Sequence, residues 1–193
     1  MFPLGHVGMA LLFAAPIALL LDRKRRYPPV LVLALATALL PDLDGKVPFS
    51  HHHGGPHTVL FALAASLAFG LALAFVSVNL LWLARRVDSV PEFRPRAAFA
   101  LGFGGALAGL ASHLFADLLM IPIADNPVEP LWPLSNRPVA LGLVHPADPA
   151  WNYGLLAAGI AAQLLVLTVV VRRTRDRTSA VRSTPSGDSN RSR

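Results

Sequence analysis

Long apolar runs separated by short polar segments dominate the sequence. Five of these runs predict helices, at residues 2–21, 30–40, 58–84, 97–121 and 153–171. Four of the five have about the ~20 residues that a helix needs to cross a bilayer. The run 30–40 lies between prolines and reaches only ~16–20 Å as a helix, which is short of the ~30 Å hydrocarbon core. The pattern therefore predicts an all-α membrane protein with four or five spanning helices.

Basic residues are distributed unevenly between the segments that join these runs. Of the 17 Lys and Arg, 15 follow the first, third and fifth runs, at 23–26, at 85–96 and from 172 onward. Because Lys and Arg accumulate on the cytoplasmic side, the N-terminus is predicted to be external and the C-terminus cytoplasmic. This topology accounts for the net charge of +6 without a nucleic-acid partner.

Composition then divides the chain into two parts. Residues 1–171 predict one membrane-embedded helical domain, since 54% of the chain is hydrophobic and only 15% is charged. Residues 172–193 are basic, rich in Ser and poor in apolar side chains, which predicts a disordered cytoplasmic tail. The expected location is the cell membrane, with the lipid bilayer as the main partner.

The polar chemistry of the chain collects on one side of the predicted membrane. All seven histidines fall in external loops or at the external ends of helices, at positions 6, 51, 52, 53, 57, 113 and 145. Most of the acidic residues share that side, where Lys46 and Arg137 are the only basic residues. With no Cys in the chain, a metal would have to be bound by His and carboxylate side chains. This partition predicts a convergent site at the external face.

Spacing identifies candidate ligands within this set. His113 and Asp117 stand at i and i+4 and share one face of an apolar helix, where ionisable groups are costly and usually functional. Two further pairs lie in the loop before the third run: Asp42 with Asp44 after a helix stop, and His52 with His57 around a Gly-Gly-Pro turn. The run His51 to His53 is expected to supply one ligand, with the other two solvated or supporting it.

This set of ligands also indicates which metal to expect. Imidazoles and carboxylates without thiolates suit Zn²⁺, with Mn²⁺ and Fe²⁺ as alternatives. The number of candidates leaves room for two ions, which together can activate water and bind both oxygens of a phosphoester.

Four short motifs carry a resemblance to a known family. "GH" near the start, "PDLD", "HHGGPHT" and "SHLFAD" together resemble the YdjM-like group of predicted inner-membrane metal-dependent hydrolases. The central motif of that group, H-R-G-x-T-H-S, aligns with residues 52–58, where His53 replaces the Arg and Pro56 replaces the first Thr. The order of motifs is also similar to that of zinc-dependent phospholipases C and zinc nucleases. The latter resemblance implies a ligand set of His6, Asp42 or Asp44, His57, His113, Asp117, His145 and Asp148.

These observations lead to one expected function and one alternative. We expect a membrane-bound hydrolase that uses metal-activated water on a phosphoester or related bond of a lipid or envelope substrate. Asp42 or Asp44 would bridge metal ions or act as the base. The expected metal ligands are His6, His52, His57, His113, Asp117 and His145, supported by His51, His53 and Asp148. The alternative is a non-catalytic metal-binding protein, carrier or scaffold, although a carrier should place polar residues throughout its helices.

Overall fold

A computed structural model of the chain describes residues 1–20, 27–46, 53–85, 94–122 and 127–182. It contains five α-helices: α1 (Pro3–Leu20), α2 (Tyr27–Ala38), α3 (Val59–Arg85), α4 (Pro95–Leu118) and α5 (Pro149–Arg182). Within these described ranges there is no β-strand, and a single parallel bridge joins Met120 to Val144. The predicted all-α fold is confirmed.

Four stretches are long and apolar enough to cross a membrane: Tyr27–Lys46, Val59–Leu83, Pro95–Leu118 and Pro149–Arg173. The apolar part of α1, Pro3–Ile17, is shorter. α2 has only 12 residues, as its flanking prolines predicted, and a 3-10 helix at Pro41–Lys46 extends it. Since α3 and α5 expose many large apolar side chains, their surfaces suit contact with lipid rather than with water.

The central helix of the fold is α4, which packs against α1, α2 and α3. Its close approach to α2 depends on Gly109, where a Cβ atom would overlap the Ala34 carbonyl and the Thr37 hydroxyl. The Thr37 hydroxyl lies 3.3 Å from the Ala106 carbonyl oxygen, which accepts a hydrogen bond from it across the same contact. The absence of a side chain at Gly109 therefore lets the C-terminal end of α2 reach α4, as small residues do in membrane helix packing.

α5 packs along α1 and extends beyond the predicted end of the fifth run. Gln163 Nε2–H donates to the Leu11 carbonyl oxygen at 2.5 Å, and Arg173 Nη1–H donates to the Leu19 carbonyl oxygen at 3.2 Å. The helix continues to Arg182, so residues 172–182 of the predicted tail are part of α5. This segment contains no Gly or Pro to end a helix. Residues 183–193 of the predicted tail lie outside the described residues.

Candidate metal centre

Four segments meet at one end of the helical core and carry the polar side chains there. They are the start of α1, the 3-10 helix after α2, a short 3-10 helix at Gly55–His57, and the last turns of α4. Each supplies at least one side chain to a shared cluster: His6, Asp42 with Asp44, His57, and His113 with Asp117. All of these except Asp42 are buried. Buried polar and charged groups are costly unless they have partners, so the cluster requires a specific account.

His113 is held in one tautomer by the backbone of α2. Its Nδ1–H donates to the carbonyl oxygen of Ala38, the last residue of α2, at 2.6 Å. Since Nδ1 carries the proton in this contact, Nε2 presents its lone pair to the centre of the cluster. This is the usual arrangement of a metal-binding histidine, whose other ring nitrogen donates to a carbonyl or carboxylate.

His57 has a carboxylate on the side of its ring away from the centre. Its Nδ1 lies 3.1 Å from Asp44 Oδ2, and a proton on Nδ1 would be stabilised by that carboxylate and would leave the Nε2 lone pair facing inward. The Nε2 atoms of His57 and His113 are 3.1 Å apart. Such a contact is stabilised either by a proton on one Nε2, as a hydrogen bond, or by a metal ion between two lone pairs. Two nitrogen ligands ~2.0–2.1 Å from one tetrahedral zinc ion stand roughly 3.3 Å apart, so the observed separation fits a shared metal ion.

Two carboxylates complete the arrangement around this nitrogen pair. Asp117 Oδ2 lies 3.0 Å from His113 Nε2 and 3.6 Å from His57 Nε2. Asp42 Oδ1 lies 3.5 Å from His113 Nε2 and 3.6 Å from His57 Nε2. The Asp42 side chain is 31% exposed whereas that of Asp117 is 1% exposed, so the centre is open on the side of Asp42. An open side is typical of catalytic metal sites rather than structural ones.

His6 lies against this group from α1. Its ring stacks on that of His113 with centroids 4.0 Å apart, and its Nε2 lies 3.5 Å from Asp117 Oδ1 and 3.9 Å from Asp42 Oδ2. Among the described residues, neither ring nitrogen of His6 has a hydrogen-bond partner, although the side chain is fully buried. A buried imidazole without hydrogen bonds is destabilising by about 1–3 kcal/mol, and a metal ion at Nε2 would remove part of that cost.

Two sets of three ligand atoms could each hold a metal ion. One is formed by His6, Asp42 and His113, and the other by His53, His57 and Asp117, with the ligand atoms of each set within 4.8 Å of one another. The centre can therefore hold a divalent ion, and its ligands suffice for a second one. The expected convergence of His57, His113 and Asp117 is present in the structure, with separations from 3.0 to 3.6 Å.

The structure brings His53, rather than the expected His52, into the described part of the cluster. His53 is buried, and its ring meets that of His57 edge-on with centroids 4.9 Å apart. Its φ of 65° is in the left-handed region, which is uncommon for a residue with a side chain and is often found at functional sites. The predicted ligand His52 and the predicted supporting residue His51 lie outside the described residues.

His145 and Asp148 do not join the cluster. His145 is exposed, and its Nδ1 accepts a hydrogen bond from the Ala147 N–H at 3.2 Å. Asp148 Oδ1 accepts from the Ala150 N–H at 2.8 Å, as a residue does when it caps the start of a helix such as α5. Neither residue is part of a metal-binding set in the described ranges, so the structure does not bring them to the cluster. Their expected roles as ligand and support stay predictions.

One backbone group belongs to the centre although no side-chain motif indicates it. It is the Ala38 carbonyl, which orients His113. The sequence did offer one indication of this contact. Ala38 lies at the end of the second apolar run, and the last carbonyls of a helix lack partners within the helix and can therefore accept hydrogen bonds from other groups.

Apolar helices around a buried cluster of histidines and aspartates define the class: a helical membrane protein with a candidate site for a divalent metal. Comparison of the sequence with models of known protein families then identifies its family. The family model of the YdjM inner membrane protein matches residues 1–182, and the chain belongs to that family. No curated protein and no solved structure matches it. The family and the four long apolar helices together make it a multi-pass inner membrane protein.

Proposed function

We propose that this protein is a zinc-dependent hydrolase of the inner membrane that cleaves a phosphoester or related bond in a lipid or envelope substrate. The observation that carries the proposal is the pair of Nε2 atoms 3.1 Å apart, each with its Nδ1 held by another group, and with two carboxylates beside them. A bound divalent ion would polarise the substrate oxygen and lower the pKa of a water molecule beside it.

The proposed choice of metal follows from the ligand chemistry. His nitrogens with carboxylate oxygens and no thiolate suit Zn²⁺, and Mn²⁺ and Fe²⁺ are the alternatives. His57, His113 and Asp117 would hold the first ion. His6 and His53 would extend the set toward a second one.

The other residues of the centre have distinct proposed roles. Asp42 would accept the proton of the attacking water, because its carboxylate lies at the open side of the centre and within 3.6 Å of both histidine Nε2 atoms. Asp44 would act through His57, since it contacts Nδ1 on the side away from the centre. The buried face formed by α1 and α4 would exclude bulk water from the other side.

The orientation of the site in the membrane is also proposed, with the N-terminus and the metal centre external. A reporter fused after Arg173 should be active only as a cytoplasmic reporter, and the same reporter inserted in the loop at Asp125 only as an external one. A paired alkaline phosphatase and fluorescent protein fusion at each position measures this. The reverse pattern would place the metal centre at the cytoplasmic face.

Hydrolysis itself is tested with the purified full chain in detergent. Zinc-loaded protein should hydrolyse at least one member of a panel of phosphodiesters and phospholipids. A chelator should abolish turnover, and added Zn²⁺ or Mn²⁺ should restore it. Protein that binds zinc in stoichiometric amount but turns over no member of the panel would favour the non-catalytic metal-binding alternative.

A further inference from the structure

A cavity of about 240 Å³ opens beside the metal centre. Two members of the metal-binding set His53, His57 and Asp117 form part of its wall, namely His53 and Asp117. The rest of the lining comes from the segment that follows α4: Met120, Ile121, Pro122, Pro127, Val128, Pro138, Val139 and Ala140. A molecule in this cavity would lie directly against ligands of the centre.

The side chains that line this cavity favour an apolar ligand over a polar one. Among the described residues that line it, all except His53 and Asp117 have apolar side chains, and none is Lys, Arg, Ser, Thr, Asn or Gln. Most hydroxyl and amide groups of a sugar or nucleoside placed there would face these apolar side chains, and each one left without a hydrogen bond costs about 1–3 kcal/mol. A hydrocarbon chain has no such groups and gains from burial. The cavity therefore suits the apolar part of a substrate.

The outer surface of the same loop indicates where such a chain would come from. Leu131, Leu134, Leu141 and Leu143 flank the lining residues of the loop and are all more than half exposed, up to 89% for Leu134. Exposed apolar side chains at this density mark a surface that contacts a membrane or another protein. In a chain with four helices that can span a bilayer, lipid is the apolar phase already present beside this loop.

We propose that this cavity binds the hydrocarbon chain of a membrane amphiphile whose phosphate head lies at the metal centre. The inference rests on the proposed function for the chemistry of the head and adds the class of the substrate: a phosphoester of a long-chain alcohol or a lipid with its chain close to the phosphate. The metal ligands recognise the head. The lining of Pro, Val, Ile and Met recognises the chain.

Binding of alkyl phosphates tests the inference without requiring turnover. We expect zinc-loaded full-length protein in detergent to bind octyl phosphate at least about tenfold more tightly than ethyl phosphate, because the added methylenes are buried. Ala140→Trp, which places a large side chain in the lining, should remove most of this preference, so that the two phosphates bind with similar affinities. Val139→Trp fills the same cavity from the next residue and serves if the first variant does not fold. Isothermal titration calorimetry measures both affinities.

Ala147→Trp is the matched control, since Ala147 is an exposed alanine in the same loop but not in the lining. It should keep the full preference for octyl phosphate. Equal affinities for the two phosphates, or an equal preference in Ala140→Trp and Ala147→Trp, would overturn the inference. Zinc-dependent hydrolysis is measured on the same samples. Turnover without a chain preference would refute this inference alone, and a chain preference without turnover would support it while refuting the hydrolase.

Discussion

Replacing His113 with Ala should lower the amount of bound metal and reduce metal-dependent hydrolysis by at least about 100-fold. His113 Nε2 lies at the centre of the cluster, 3.1 Å from His57 Nε2 and 3.0 Å from Asp117 Oδ2. Without this ligand, the proposed first ion keeps only His57 and Asp117, and the set of His6, Asp42 and His113 also falls to two ligands, so that only the set with His53 keeps three ligands. Metal analysis of purified protein after dialysis measures the loss directly, and the same samples are assayed for turnover.

Variants of the residues around His113 should weaken metal binding to different degrees. Asp117→Ala should resemble His113→Ala, because its carboxylate touches both histidine nitrogens. Asp44→Asn should weaken metal binding by about 10–100-fold, since it alters only the group that orients His57. His145→Ala is the matched histidine control and should bind metal like the wild type, because its side chain is exposed and outside the metal-binding sets.

Loss of metal in the His145 variant to the same degree as in the His113 variant would contradict this assignment of ligands. Unchanged turnover in the His113→Ala, Asp117→Ala double variant would show that the cluster is not the active site. Circular dichroism of each variant in detergent separates these results from loss of the fold.

The second large effect is a loss of stability, expected on substitution of a glycine that does not contact the metal centre. Gly109→Ala should lower the free energy of unfolding by about 1–3 kcal/mol, because the new methyl group would overlap the Ala34 carbonyl and the Thr37 hydroxyl of α2. It should also weaken metal binding, since pushing α2 away moves the Ala38 carbonyl that holds His113. Thermal unfolding followed by tryptophan fluorescence measures the first effect, and zinc titration measures the second.

Gly104→Ala, on the same helix, is the matched control. Within the described part of the chain, no atom outside its own helix lies within 4 Å of a Cβ at that position. Because Ala has the higher helix propensity, this change should leave the protein unchanged or stabilise it by up to about 1 kcal/mol. If the two alanine variants unfold at the same temperature, the close contact between α2 and α4 at Gly109 is not important for stability.

The sequence alone determined the helical architecture, because lipid leaves few alternatives for a chain of this composition. A long apolar run in a bilayer must satisfy its backbone hydrogen bonds internally, so each run becomes a helix. Prolines near both ends of the second run predicted its short length, because proline suits the first turn of a helix and stops its continuation at the far end. Local spacing also determined one contact of the site, since residues at i and i+4 share a helix face wherever the helix packs. The pair His113 and Asp117 was therefore predictable before any tertiary contact was known.

Only the tertiary structure decided which of the remaining polar residues belong to the centre. His6 lies 107 positions before His113 in the sequence. The two rings stack because α1 packs against α4. Asp42 and Asp44 are separated by one residue, yet one faces the centre and the other lies behind His57, a distinction set by the 3-10 turn. His145 has the same side chain as the ligands but lies in an exposed loop. Residue type determined what could bind a metal, and the packing of the helices decided which of those residues meet, because it brings together groups that are distant along the chain.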